Sequence, residues 1–200
     1  MKLMKVMLLA AVVLTSASAA YASGTMTFGV GGGVTSPLGD FSKVTKLGFN
    51  GGVYGDYWLK PNYAFGVDIT GNFLSAKDDF KNALKSTQYP DPSFKETVIS
   101  FGVHGKWVAS MKDASVSPWL TYGVAMYNAK AKITDAGPFL NGDNSVNKFG
   151  FNGGGGLDFK GNASMKPGVD VKYNYIMTDN KATSYLTAGV HVTFSTNGGK

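Results

Sequence analysis

The 200-residue chain contains no cysteine. That excludes disulfide staples, cysteine-ligated zinc, a thiol nucleophile and a lipid-anchored N-terminal cysteine. Arginine is absent as well, so all 19 basic residues are lysine. Bidentate contacts to guanine and phosphate favour the guanidinium fork, and no nucleic-acid partner is expected. The two histidines, His104 and His191, are too few for most histidine-built metal centres. Past the N-terminus, no apolar run reaches the roughly 20 residues a membrane-spanning helix needs. Motifs for chemistry are missing too. The run Gly29 to Val34 (GVGGGV) lacks the third glycine of a dinucleotide fingerprint, and no helix follows it. Gly153 to Gly156 reads as strand interior, and neither a G-x-S-x-G nor a Walker A run occurs. No cofactor and no enzymatic activity are expected.

The N-terminus is an address. Lys2 and Lys5 precede an uncharged apolar run from Val6 to Leu14, and either Ala17-Ser18-Ala19 or Ala20-Tyr21-Ala22 fits a small-x-small cleavage site. Residues 1–22 therefore read as a secretory signal peptide, which sends the protein out of the cytoplasm.

The rest of the chain alternates with period two. Eight segments place large apolar residues at every second position, as a strand with two unlike faces requires. The third is the clearest, with Tyr63, Phe65, Val67, Ile69 and Phe73. The eighth carries Leu186, Ala188, Val190, Val192 and Phe194. The intervening positions hold glycine, asparagine and threonine, together with Asp56, Asp68, His104, Lys106, Asp158, Lys166, Asp170, Lys172 and His191. Nine ionisable residues falling on one face by independent chance is roughly a one-in-five-hundred event for a strict two-residue period.

The composition of the two faces decides which is outside. Phenylalanine, tyrosine, valine and leucine from all eight strands would overfill a small barrel if packed inward. Turned outward they meet lipid, where a midplane lysine would cost about 2–4 kcal/mol. The expected fold is all-β: an eight-stranded antiparallel up-and-down transmembrane barrel over residues 24–194, with a short tail at 195–200. Aromatic residues near strand ends fit interfacial girdles, and Tyr57, Tyr63, Trp107, Tyr173 and Tyr175 are assigned to them, with Trp58, Trp119, Tyr185 and Phe194 also near strand ends. The connections alternate in length. Thr35–Lys46, Leu74–Lys95 and Ala129–Val146 read as long external loops, whereas Lys60-Pro61-Asn62 and Lys160–Ala163 read as short periplasmic turns. A short helix is possible over Ala76–Ser86, stopped by Tyr89-Pro90-Asp91-Pro92.

Inside such a barrel the charges need partners or water. The expectation is a polar network in which Asp56, Asp68, Asp158 and Asp170 pair with Lys106, Lys166, Lys172 and the two histidines. Two alternatives remain open: a narrow channel for small polar solutes, helped by the many inward glycines, and a Ser100–His104 hydrolytic pair.

The last strand, Tyr185-Leu-Thr-Ala-Gly-Val-His-Val-Thr-Phe194, closes on an aromatic residue. Here the chain resembles the small eight-stranded outer-membrane barrels: the opacity-type proteins, the outer-membrane protein X type and the membrane domain of outer-membrane protein A. The resemblance covers residues 24–194. It implies a bacterial outer-membrane location, lipid as surroundings, a monomer, and an unidentified external ligand at the loops. It also implies that Phe194 closes a signal read by the barrel assembly machinery, although family members often end on that aromatic and Ser195–Lys200 follow it here. The function expected is structural or surface-interacting.

Overall fold

Alternating side chains commit each segment to an extended backbone with two faces, and extended backbone in lipid must pair all its amides. The computed structural model describes residues 25–85, 93–109, 114–134, 142–161, 164–178 and 182–196. The signal-peptide reading at 1–22 and the helix stop at 89–92 fall outside these residues. The strands are β1 (Met26–Leu38), β2 (Thr45–Lys60), β3 (Tyr63–Ala76), β4 (Ser93–Val108), β5 (Val116–Thr134), β6 (Gly142–Phe159), β7 (Met165–Ile176) and β8 (Thr183–Ser195). Each pairs antiparallel with the next, and β8 returns to pair with β1, closing the barrel in up-and-down order. Gly39, which follows β1, has φ +56°, a left-handed conformation that suits glycine. It leads into helix α1 (Phe41–Val44), and helix α2 (Asp78–Leu84) forms within the segment where a short helix was expected.

Burial is inverted relative to a water-soluble protein. Phe49 and Val190 are 71% and 64% exposed, whereas Asp56 and Asn72 are 1% exposed. On every strand the alternating set of large apolar residues, such as Phe65 and Ile69 on β3, is exposed on the outer face, as lipid contact demands.

The strands run further than the hydrophobic pattern. β1 continues to Leu38, β5 to Thr134, and β6 starts at Gly142. The long loops expected at Thr35–Lys46, Leu74–Lys95 and Ala129–Val146 are therefore shorter. Apolar alternation is required only within the bilayer, while ladder hydrogen bonds continue past it.

The interior is layered. Near the loop end, the inward side chains of Leu74, Val98, Ala125, Tyr127, Ile176 and Tyr185 pack together, with Phe41 of α1 and Ala129 against them. Beneath this apolar layer lies a polar cavity of roughly 110 Å³.

Candidate functional site in the barrel lumen

Strand parity turns Asp56 (β2), Asp68 (β3), His104 and Lys106 (β4), Asp158 (β6), Asp170 and Lys172 (β7) and His191 (β8) toward the axis. They form two clusters. In one, His104 Nε2 lies 2.8 Å from Asp56 Oδ1 and Nδ1 lies 3.1 Å from Asp68 Oδ1. In the other, His191 Nε2 and Nδ1 each lie 2.9 Å from a carboxylate oxygen, of Asp158 and Asp170 respectively. A neutral imidazole carries one N–H, so donation from both nitrogens to carboxylates needs the imidazolium form. Four carboxylates are then balanced by two lysines and two imidazolium rings.

The lysines tie the clusters together. Lys172 Nζ is 3.7 Å from Asp68 Oδ1. Lys106 Nζ stands 3.8 Å from Asp56 Oδ2 and 3.9 Å from Asp158 Oδ2, so it touches both clusters. It also lies 4.6 Å from the ring centroid of Trp119 and 5.6 Å from that of Tyr54, within cation–π range. Trp119 Nε1 donates to Asp158 Oδ1 at 2.8 Å, and the Tyr54 hydroxyl bonds the Thr193 hydroxyl.

A second polar layer meets the apolar lid. Thr35 Oγ1 donates to Asn72 Oδ1 at 2.9 Å, Asn72 Nδ2 donates to the Tyr185 hydroxyl at 3.3 Å, and the Tyr127 hydroxyl donates to Asn174 Oδ1 at 3.2 Å.

The two clusters are built by the same sequence twice. Phe49-Asn50-Gly51-Gly52 and Asp56 on β2 are matched at identical spacing by Phe151-Asn152-Gly153-Gly154 and Asp158 on β6. Gly66-Val67-Asp68 and Asn72 on β3 are matched by Gly168-Val169-Asp170 and Asn174 on β7. Gly102-Val103-His104 on β4 corresponds to Gly189-Val190-His191 on β8. Strands β2–β4 thus repeat as β6–β8 in sequence and in register, and the clusters are related by an approximate two-fold rotation about the barrel axis. The lysines break the symmetry. Lys106 is matched by Thr193 and Lys172 by Thr70, and each lysine crosses to a carboxylate of the other half.

Glycine makes the clusters sterically possible. Gly66 is the register partner of His104, and Gly168 that of His191. A Cβ on Gly66 would run into Asp56 Oδ1 and lie 2.6 Å from His104 Nε2, and one on Gly168 would run into the ring of His191. Gly66→Ala and Gly168→Ala are each expected to destabilise the barrel by about 1–3 kcal/mol, the usual range for overpacking. Urea-unfolding midpoints of the refolded variants, compared with Gly51→Ala where a Cβ has its nearest contact at 3.7 Å, check this.

Lys166 stands apart from the clusters, exposed at the start of β7. Ser100 does not meet His104: its hydroxyl donates to the Thr70 carbonyl at 3.4 Å, and both nitrogens of His104 are engaged by aspartates. Tyr57, Tyr63 and Trp107 sit on the outer face near the end that carries the termini, where the Tyr63 and Tyr122 hydroxyls are 2.8 Å apart. Tyr173 and Tyr175 face outward near the loop end. Trp58, Trp119 and Tyr185 do not join them. Trp58 Nε1 donates inward to Thr27, and Trp119 and Tyr185 are buried in the lumen. Their positions have inward parity, and that outweighs the tendency of aromatic residues to collect at strand ends. Phe194 is outward and pairs with Phe28 and Met165. The aromatic neighbours of Lys106 and the asparagine layer have no charge to mark them in the sequence; aligning the chain with itself is the signal that finds Asn72 and Asn174.

A family model described as the outer membrane protein beta-barrel domain matches residues 7–194. Among solved structures, Neisserial surface protein A superposes with a TM-score of 0.63 at 15% identity, covering 86% of this chain and 99% of that one. A major outer membrane protein from Thermus thermophilus gives 0.58 at 14% identity, covering 87% and 100%. The outer membrane protein OprG from Pseudomonas aeruginosa gives 0.52 at 10% identity, covering 84% and 95%. At such identities the likeness is one of fold. No curated protein matches the chain in sequence.

Proposed function

Because this chain belongs to the outer membrane protein β-barrel family, we propose that it is an envelope scaffold that uses its lumen for rigidity and its loop end for contact outside the cell. The outer-membrane location follows from the family. In this reading residues 1–22 are the cleaved export signal, Phe194 serves recognition by the assembly machinery, and the chain works as a monomer. The barrel end at Met26 and Ser195 faces the periplasm, and α1 and α2 face the cell exterior.

The observation that carries the scaffold reading is the charge balance of the lumen. Four aspartates, two lysines and two doubly donating histidines satisfy one another across both halves. Connected buried networks rigidify a core, and here even Asp56 Oδ2, which has no hydrogen bond, faces the ammonium group of Lys106. The apolar layer around Tyr127 and Tyr185 narrows the interior toward the loops, and Lys106 with its two rings narrows it toward the termini. Both nitrogens of His104 are engaged by aspartates and Ser100 bonds the Thr70 carbonyl, which counts against the Ser100–His104 pair as a hydrolytic site.

A channel is the second reading, favoured by one observation: Lys106 lines both the central cavity and the mouth at the end with the termini. Planar-bilayer recording of the refolded chain separates the two. The expected result is a heat-modifiable barrel with no steady conductance. Steps that change on Lys106→Glu or Asp68→Lys would replace the scaffold with a pore.

A further inference from the structure

The outer wall of the β4–β5 hairpin carries an unbroken ladder of outward pairs. It begins at Trp107↔Leu120 near the termini and climbs through Val103↔Val124 and Phe101↔Met126 to Ile99↔Asn128. The next pairs are Thr97↔Lys130 and Lys95↔Lys132. No register shift interrupts the hairpin, so parity holds, and all three lysines are exposed. From Trp107 to Thr97, at about 3.3 Å per residue and a tilt of about 40°, the wall climbs about 25 Å, the height of the apolar band of such barrels. The lysines therefore stand where the hydrocarbon ends and the headgroups of the loop-side leaflet begin.

Their pairing is unusual on its own terms. Lys95 and Lys132 are direct cross-strand partners, and like charges directly opposite each other destabilise a ladder. Among the described residues none of the three makes an ion pair, whereas nearby Lys46 lies 3.9 Å from Asp78. Among the described residues the opposing charge alongside is Asp143, the register partner of Lys132. Neutral donors flank the lysines: Asn128 Nδ2 points to Ser145 and Asn147 on the neighbouring strand. The outer wall of β7 and β8 at this height offers Tyr175, Met177 and Ser184 instead. An anion lying over the hairpin would remove the repulsion, and at this height the anion available is a lipid phosphate.

We propose that Lys95, Lys130 and Lys132 form a site on the outer wall of the barrel for the phosphate groups of a phosphorylated lipid in the loop-side leaflet. The site rests on the membrane-barrel reading and adds a ligand class to it. Basic residues at a bilayer surface attract anionic lipid individually, and three on one wall make a local preference rather than a general one. The site also gives the barrel a fixed height and a preferred lipid neighbour on one side.

The test titrates the detergent-solubilised, refolded full chain with a diphosphorylated glycolipid and counts retained lipid by native mass spectrometry. The wild type is expected to retain it saturably. Neutralising all three lysines (K95Q/K130Q/K132Q) is expected to weaken retention on the order of a hundredfold, about fivefold per lysine. The dephosphorylated glycolipid should bind the wild type as weakly as the phosphorylated one binds the variant, a comparison that needs no variant to fold. Inorganic phosphate at matching concentration should not compete; competition would make the site one for free phosphate and overturn the lipid assignment. Equal retention of phosphorylated and dephosphorylated lipid by a heat-modifiable barrel would overturn the site while leaving the barrel intact. A chain that shows no heat-modifiable migration would fail earlier, as a membrane barrel.

Discussion

Lys106→Met is expected to lower the unfolding free energy of the barrel by roughly 3–5 kcal/mol, the range for removing one partner of a buried charge pair. The lysine is 4% exposed and faces two carboxylates from opposite halves of the chain. Asp56 Oδ2 has no hydrogen-bond partner, so the ammonium group is its nearest compensation. Methionine keeps most of the volume and the contact with Trp119 and Tyr54 but leaves the two aspartates facing each other. Water admitted to the lumen cavity would place the effect at the lower end of the range. Adding Asp56→Asn to Lys106→Met should recover about 1–3 kcal/mol, because it removes the charge left uncompensated. Urea titrations of tryptophan fluorescence in lipid vesicles give both values. A single variant that unfolds at the wild-type midpoint would show that the lumen charges do not hold the barrel together.

The second large effect comes from the histidines. His104→Ala and His191→Ala should each destabilise by roughly 3–5 kcal/mol, since each removes two charge-assisted hydrogen bonds and leaves two aspartates unseparated. Because the clusters are copies of one motif, the two losses should agree within about 1 kcal/mol. Lys106 contacts both clusters, so the double variant should depart from additivity by about 0.5–3 kcal/mol, as coupled sites in one network do. The same urea titrations measure this cycle. One silent histidine beside one severe one would mean that the repeat in sequence is not a repeat in energetics.

The sequence was most informative where one rule acted alone. Period-two alternation assigned the faces of Phe65, Asp68 and His104 because a strand permits no other phase. It was least informative where residue type competed with phase. Trp58, Trp119 and Tyr185 look like interfacial aromatics, yet each sits at an inward position and turns inward. Parity is a covalent constraint, and interfacial preference is a weak energy. Strand ends were hidden for a different reason: Lys130 and Lys132 are charged and outward, a combination excluded within lipid but harmless above it. The pairing of Lys172 with Asp68 could not be read at all, because it depends on which side chains meet across the lumen rather than along a strand.

The seam between β1 and β8 joins the two ends of the barrel sequence, from Thr27↔Ser195 to Leu38↔Ser184. Every other pairing is between consecutive strands. Chain closure is therefore concentrated in one non-local step, which raises the contact order and slows folding. Until that step, β1 and β8 present open edges, whose unpaired amides cost several kcal/mol each in hydrocarbon. Once closed, no edge remains from which the sheet can fray. The lifetime of the native barrel is then set by the rate at which this one seam opens, so its durability is kinetic as much as thermodynamic.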